Sequence, residues 1–253
     1  MRKKILAGNW KMNKSMSDVS GYFDLFAEGL GDLFQDRAEI WFALPSLLLQ
    51  EGVRVASNRF RIGSQNVHFA SNGAFTGENS VEMVQECGAS FTLIGHSERR
   101  TLFHEDDLFI ANKVKSCQQK GFAVMLCVGE SLSEREQGLT EVVLAKQLGT
   151  VFAITKKWEG ISIAYEPVWA IGTGVTATPV QAQKAHAFIR TFIAHTSDRE
   201  VAEDVPILYG GSVKAENIGE LISEKDIDGG LVGGASLDPN GFAAVYQKMI
   251  GAN

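Results

Sequence analysis

The stretch Ile161-Ser162-Ile163-Ala164-Tyr165-Glu166-Pro167 is a short apolar run that ends in a carboxylate and a proline. Similar runs recur along the chain, each followed by a polar or glycine-rich stretch and then an amphipathic segment. Near-continuous apolar runs are typical of parallel strands covered on both faces. We predict eight such strands, at Ile5–Trp10, Glu39–Leu44, Phe60–Gly63, Phe91–Gly95, Ala123–Val128, Ile161–Tyr165, Ile207–Tyr209 and Gly230–Val232.

The segments between these runs have helical spacing and helix-start signals. Thr178-Pro179-Val180-Gln181 is a capping box with proline at the first helical position, and Asp238-Pro239 opens a last helix. Ser17 is expected to cap a first helix, whose apolar positions are Val19, Tyr22, Phe23, Phe26, Leu30 and Leu33. Eight strand–helix alternations predict one eight-stranded parallel β/α barrel over residues 1–253. A doubly wound open sheet shows the same alternation and is the structural alternative.

Composition and charge exclude several classes of partner. The net charge of −6 argues against nucleic acid, and no stretch approaches the roughly 18 apolar residues of a membrane helix. Cys87, Cys117 and Cys127 are too few and too widely spaced for a disulfide framework or a zinc site. Only three apolar residues follow the basic start before Gly8, which is too short for a signal peptide. We therefore expect a cytoplasmic protein that uses neither a metal nor an organic cofactor.

Polar and glycine residues follow the predicted strands where a β/α barrel gathers its reactive groups. Taken singly, each has a plain structural explanation, since strand-end lysines are usually solvated and Gly-Gly pairs are commonly turns. At one rim of one barrel they predict an anion-binding active site, because glycines let backbone N–H groups approach phosphate oxygens. The residues are Asn9, Lys11, His96, Glu166, Gly210, Gly211, Ser212, Gly233 and Gly234.

A dinucleotide fingerprint is also present, at Gly172-Thr173-Gly174-Val175-Thr176-Ala177. Such a fingerprint requires a tight turn from strand through glycines into helix. Here five residues separate Glu166 from the first glycine, and the next helix is expected only near Thr178. A nicotinamide site is therefore not predicted.

Several longer motifs resemble those of the triosephosphate isomerase family, in order along essentially the whole chain. The motifs are Ala7–Asn13, Gln65–Val67, Asn72–Glu78, Ile94–Arg100, Tyr165–Gly174, Tyr209–Ser212 and Leu231–Leu237. The resemblance implies a single-domain (TIM) barrel that interconverts dihydroxyacetone phosphate and glyceraldehyde 3-phosphate. The barrel aldolases that use a lysine Schiff base, and a non-catalytic metabolite-binding barrel, are the alternatives.

The resemblance also implies a role for each site residue. Glu166 would be the general base and His96 a neutral electrophile. Lys11 would stabilise negative charge, and Asn9 would position the substrate oxygens. Backbone or hydroxyl donors of Gly172, Ser212, Gly233 and Gly234 would hold the phosphate under a mobile lid at Pro167–Ala177. Glu98 and Cys127 match family positions that would support these groups.

The long connection after the third strand, Gln65–Glu78, predicts a homodimer, because a loop of this length with exposed aromatic residues is unusual without a function. By resemblance, Thr76 would reach the partner's site. The chain departs from the family pattern at Val175, where lysine is usual in the lid hinge, and at His68-Phe69-Ala70-Ser71.

Overall fold

The protein is described by a computed structural model that covers residues 2–31, 38–171 and 176–251. Within these residues eight parallel strands form a closed barrel in sequence order, and β1 pairs with β8. The strands are β1 Ile5–Asn9, β2 Glu39–Leu44, β3 Arg61–Ser64, β4 Phe91–Ile94, β5 Ala123–Val128, β6 Ile161–Tyr165, β7 Ile207–Tyr209 and β8 Gly229–Val232. The closed barrel confirms the predicted fold class and excludes the doubly wound sheet.

The helices lie around the barrel and connect its strands. They are α1 Met16–Leu30, α2 Leu49–Ala56, α3 Val81–Glu86, α4 Ser97–Leu102, α5 Asp107–Gln119, α6 Leu132–Glu136, α7 Thr140–Thr155, α8 Pro179–Thr196, α9 Arg199–Asp204, α10 Ile218–Ile222 and α11 Pro239–Gly251. In the described part of the chain, no helix combines the length and hydropathy that a membrane crossing needs.

Two of the three predicted helix starts are confirmed, and one is wrong. Thr178 and Gln181 form the expected capping box, and α11 begins at Pro239 after Asp238. Helix α1, however, is capped by Ser15, whose backbone N–H donates to Asp18 Oδ2 over 2.7 Å. Ser17 lies inside the first turn instead. The carboxylate three residues after Ser15 completes the reciprocal cap, which Ser17 lacks. Leu33, predicted for this helix, lies outside the described residues.

Strand β3 begins one residue later than predicted, and Phe60 precedes it. The Phe60 ring is buried and lies 5.7 Å from Phe23 and 5.3 Å from Phe26 of α1. Its side chain therefore belongs to the layer between strands and helices. A second apolar cluster fills the inside of the barrel, and its members are Ile5, Ala7, Trp41, Ala43, Phe91, Leu93, Met125, Cys127, Ala164, Leu208 and Leu231. A filled interior keeps the site at the rim rather than in a pore.

The seam between β7 and β8 is held by buried charges. These strands share one register pair, Tyr209 with Gly230. Below it, Asp228 Oδ2 accepts the backbone N–H of Ile207 over 2.9 Å and the Arg190 guanidinium over 2.6 Å. Arg2 Nε donates to the other carboxylate oxygen over 2.7 Å. One carboxylate thus links α8, β7 and the residues that precede β1 and β8.

Helix α8 carries His186 into the core behind the active site. The fully buried ring lies 5.7 Å from Tyr165 and 6.5 Å from Tyr209, and Nδ1 lies 3.2 Å from the carbonyl oxygen of Asp226. Burial lowers the pKa of His186 from its ordinary 6.5 to about 3. Between these values the unfolded chain binds a proton at this side chain that the folded protein does not.

His186 should therefore make the free energy of unfolding fall as the pH drops below 6.5. We expect His186→Asn to flatten this dependence between pH 6 and 4, by up to about 1.4 kcal/mol per pH unit. Urea unfolding at several pH values measures the slope. His195→Asn, which changes an exposed histidine of the same helix, is the matched control. An unchanged slope in His186→Asn would contradict the assignment.

Candidate active site

A cavity of about 270 Å³ lies at the carboxyl ends of the strands. Eight residues were assigned a role in the site, and the lining brings together seven of them: Asn9, Lys11, His96, Glu166, Ser212, Gly233 and Gly234. Gly172, the eighth, lies with residues 173–175 outside the described residues. Gly210 and Gly211, predicted for the same rim, also line the cavity. Lys214 also lines the cavity and was not predicted, because a lysine beyond a strand-end turn is an ordinary surface residue.

His96 and Glu166 face each other across the cavity. They follow β4 and β6, are 6% and 2% exposed, and place His96 Nε2 3.0 Å from Glu166 Oε1. The backbone N–H of Glu98 donates to His96 Nδ1 over 3.2 Å, and that of Ser97 donates to Glu166 Oε2 over 2.9 Å. A ring nitrogen that accepts a hydrogen bond carries no proton. The arrangement is the one that a neutral imidazole makes when it donates from Nε2.

Two glycines allow the backbone to close around Glu166. A Cβ on Gly129 would lie 1.7 Å from the carbonyl oxygen of Glu166, and one on Gly210 would lie 2.9 Å from its Cγ. The backbone N–H of Glu166 donates to the carbonyl oxygen of Val128 at the end of the neighbouring strand β5 over 2.7 Å. Behind it lies Cys127, and burial, with the nearby Glu166 charge, raises the pKa of its thiol well above the usual range. The carboxylate is thus held rigidly beside an uncharged neighbour.

Lys11 occupies the left-handed region of the backbone, with φ of 50°. Its N–H donates to Asn9 Oδ1 over 3.0 Å, and its ammonium forms an ion pair with Glu98. Gln65 Nε2, from the turn after β3, donates to the Lys11 carbonyl over 2.9 Å and to that of Ala43 over 3.1 Å. A non-glycine residue in this conformation needs such support. Gln65 was named from the sequence in the motif Gln65–Val67 and in the long loop but was assigned no role in the site, although its place directly after a predicted strand could have indicated one.

Backbone groups dominate the opposite wall of the cavity. Gly210, Gly211 and Ser212 follow β7, and Gly233 and Gly234 follow β8. Glu166 is the one carboxylate among the lining residues, all of which the structure describes. Lys11 and Lys214 supply positive charge. Such a wall suits an anion that is held by N–H groups and balanced by one or two lysines.

The base of the predicted lid rests on Glu130, a fully buried carboxylate that the sequence did not single out. It accepts the Tyr165 hydroxyl at 3.0 Å, Trp169 Nε1 at 3.2 Å and the Arg135 guanidinium at 3.0 Å. The other end of the segment is held where the backbone N–H of Ala177 donates to the Tyr209 hydroxyl over 3.3 Å. Tyr165 and Tyr209 are the last residues of their strands, and this position in the sequence could have indicated that they lie at the rim of the site.

Two further features concern metal-ligand groups and the dinucleotide fingerprint. Among residues 2–31, 38–171 and 176–251, no three His, Cys, Asp or Glu side chains are grouped as a metal ion would require. A short turn at Val168–Ala170 separates β6 from the fingerprint glycines, and α8 starts only at Pro179. The strand–turn–helix geometry of a dinucleotide site is therefore not formed by the described residues on either side.

Comparison with known proteins assigns the family. Residues 4–249 match the family model for triosephosphate isomerase. A triosephosphate isomerase of Halorhodospira halophila is 46% identical over 98% of each chain. The triosephosphate isomerase of Carboxydothermus hydrogenoformans is 44% identical over 99% of this chain and 100% of its own length. That of Taenia solium is 43% identical over 98% of this chain and 99% of its own length. The chain belongs to the triosephosphate isomerase family.

Proposed function

We propose that this chain interconverts dihydroxyacetone phosphate and glyceraldehyde 3-phosphate by proton transfer through an enediolate. The observation that carries the proposal is the contact between Glu166 and a neutral, Nε2-donating His96 at the wall of an anion-binding cavity. The relatives named above support the same substrate pair. The roles of individual residues follow from the geometry.

Glu166 is the proposed base that removes a proton from one substrate carbon and returns it to the next. Both of its oxygens accept hydrogen bonds, from His96 Nε2 and from the Ser97 N–H. A substrate carbonyl that takes over the His96 donor would release Oε1. The carboxylate is 2% exposed, so little water competes with the substrate for the freed oxygen.

His96, Lys11 and Asn9 are proposed to stabilise the charge that develops on the substrate oxygens. A neutral imidazole donates a hydrogen bond to an oxyanion without first forming an ion pair with Glu166. The Lys11 ammonium, 29% exposed, adds a positive charge near both the oxygens and the phosphate. Asn9 fixes Lys11 through its 3.0 Å bond to the backbone N–H. Ser212, Gly233 and Gly234, with Gly172, would bind the phosphate.

A Schiff-base aldolase is less well supported by this site. Its lysine must be uncharged to attack a carbonyl. Of the two lysines that line the cavity, Lys11 is ion-paired with Glu98 and Lys214 is exposed. The ends of β6 and β7 carry Glu166 and Gly210 instead.

We also propose that the active form is a homodimer. Phe75, in the loop Gln65–Glu78, is 44% exposed. Leu47 is 86% exposed, and the preceding residue, Ser46, accepts a hydrogen bond from Asn79 directly after the loop. The loop is anchored to the barrel, because the buried Lys113 ammonium donates to Asn66 over 2.7 Å, and the His68 and Phe75 rings are in tilted contact with centroids 4.0 Å apart. Thr76 is exposed at its tip and would enter the partner's site.

A cytoplasmic location is part of the proposal. Cys87, Cys117 and Cys127 are all free thiols, and two of them are buried. This is the usage expected of a reducing compartment.

Glu166→Gln should lower kcat by about 10²- to 10⁴-fold, because an amide cannot accept the substrate proton. A coupled assay of both directions measures the change, and thermal unfolding checks that the fold is kept. Glu159→Gln, an exposed acid far from the cavity, is the matched control. Near-normal turnover in Glu166→Gln would contradict the assignment of Glu166 as the general base.

Tyr209→Phe should weaken the closed lid by removing the acceptor of the Ala177 N–H. An enediolate exposed to water can expel its phosphate and form methylglyoxal, so water exclusion protects it. We expect kcat/KM to fall about fivefold, as for one lost hydrogen bond, and the ratio of phosphate elimination to isomerisation to rise. Tyr246→Phe in α11 is the control. A ratio that stays constant in Tyr209→Phe would show that this bond does not guard the intermediate.

Phe75→Asp should weaken self-association at least about 30-fold, as expected for an aromatic anchor at an interface. Sedimentation velocity across a dilution series measures the dimer, and activity at the same concentrations shows whether the monomer works. Val180→Asp, a charge placed on a residue 73% exposed at the start of α8, should change neither. A fully active monomer of the unmodified chain would reject the proposal.

A further inference from the structure

A second cavity, of about 530 Å³, lies at the opposite end of the barrel, where strands begin. Its lining includes residues at the starts of β1, β2, β3, β5 and β6 and residues around α9. Ligand cavities commonly have 300–1,000 Å³ and combine apolar walls with a few polar groups. All of its lining residues belong to the described part of the chain. The active-site cavity shares none of them.

The floor of this N-terminal cavity is a fixed stack of planar groups. The Trp41 ring lies 4.7 Å from Phe91 inside the barrel, and the Arg61 guanidinium lies 4.1 Å above the Trp41 ring. Arg61 NH2 donates to the carbonyl of Ser90 over 3.1 Å, and Trp41 Nε1 donates to Glu39 over 2.8 Å. The Arg61 side chain is 36% exposed and lines the cavity, so its outer face is a platform for another planar group.

The walls are apolar. Ile5, Ala123 and Ile161 come from the strands, and Trp158 and Val205 come from the loops before β6 and β7. Four of these five side chains are nearly inaccessible to solvent, and Ala123 is half-buried. A ligand that lies on Arg61 would therefore bury its rings against aliphatic and aromatic carbon.

The cavity lining carries four basic and three acidic side chains, the acids being Glu39, Glu159 and Asp204, so it has an excess of one positive charge although the chain as a whole is acidic. Lys3 and Arg61 share one carboxylate, Glu39. Burial alone would raise the pKa of Glu39, but the hydrogen bonds that its carboxylate accepts from Lys3 and Trp41 lower it. The Glu39 carboxylate therefore already has its hydrogen-bond partners within the protein. On the far side Lys156 is exposed, and it forms none of the ion pairs among the described residues. Its ammonium is available to an anionic group.

We infer that the N-terminal cavity binds a small planar aromatic anion, with its rings on the outer face of Arg61 and its negative group toward Lys156. No residue proposed for the isomerase reaction takes part, so the inference stands apart from the proposed function. A ligand bound there would stabilise the folded protein in proportion to its occupancy.

The probe for this site is 8-anilinonaphthalene-1-sulfonate, which is aromatic, anionic and fluorescent when its rings are desolvated. N-phenyl-1-naphthylamine, which lacks the sulfonate, is the matched neutral probe. We expect the native protein to bind one sulfonate probe per chain, to gain in melting temperature, and to bind the neutral probe more weakly. Inorganic phosphate added at constant ionic strength should not displace the probe, because it competes only at the active site.

Two variants test whether the probe binds in the N-terminal cavity. Lys156→Glu should weaken binding of the sulfonate about three- to fivefold or more, as for a lost solvent-exposed ion pair, and leave the neutral probe unchanged. Ala123→Met should weaken binding of both probes, because the larger side chain extends from the wall into the cavity. Lys184→Glu, an exposed lysine of α8 with the same change of charge, is the control and should bind like the parent chain. Isomerase activity checks that every variant is folded.

Three results would overturn the inference. They are displacement of the probe by phosphate, equal loss of the sulfonate probe in Lys156→Glu and Lys184→Glu, and undiminished binding of both probes in Ala123→Met. A native protein that leaves the sulfonate probe unbound at millimolar concentration would overturn it as well.

Discussion

Every strand of the barrel runs in the same direction, so closing the sheet brings all eight carboxyl ends to one rim. Asn9, His96 and Glu166, far apart in the chain, become neighbours only through that closure. The shortest strand pairing in the barrel is between β7 and β8, which share one register pair. There Asp228, bonded to Arg2 and Arg190, completes the ring. A buried carboxylate without both partners would carry a large desolvation cost, so these charges act as one unit.

The chemistry at the rim depends on how little freedom its residues have. Gly129 and Gly210 leave room for the backbone and side chain of Glu166 to approach, and any Cβ there would collide. The Glu98 N–H occupies His96 Nδ1, an arrangement in which the proposed neutral imidazole meets Glu166 through a hydrogen bond and not through an ion pair. An isomerase needs this distinction, because a base locked in an ion pair would be a weak proton acceptor. Gln65 keeps Lys11 in a backbone conformation that it would otherwise leave.

The two ends of the barrel recognise ligands by different means. At the carboxyl rim the anion-binding wall is mainly backbone and glycine, which approach a phosphate closely and exclude water. At the N-terminal mouth the polar groups are long side chains, Lys3, Arg61 and Lys156, around an aromatic floor. The first arrangement suits a small, highly charged ligand. The second suits a flat ligand with a large apolar surface, which is why the two cavities call for different ligand classes.

The sequence by itself determined the strand–helix alternation, the strand positions to within about one residue and the residues that follow the strands, because parallel strands and their end groups are local patterns. Closure of the sheet into a barrel was decided by the tertiary structure, since a doubly wound sheet shows the same alternation. The sequence also determined the caps at Thr178 and Asp238, which depend on residues three positions apart. Only the tertiary structure decided that Glu130 supports Tyr165 and Trp169, that Gln65 supports Lys11, and that Trp41 and Arg61 floor a second cavity. Each of these is a contact between elements, and its existence depends on the register and tilt of a closed sheet. That geometry follows from all eight strands together, so no local stretch of sequence can specify it.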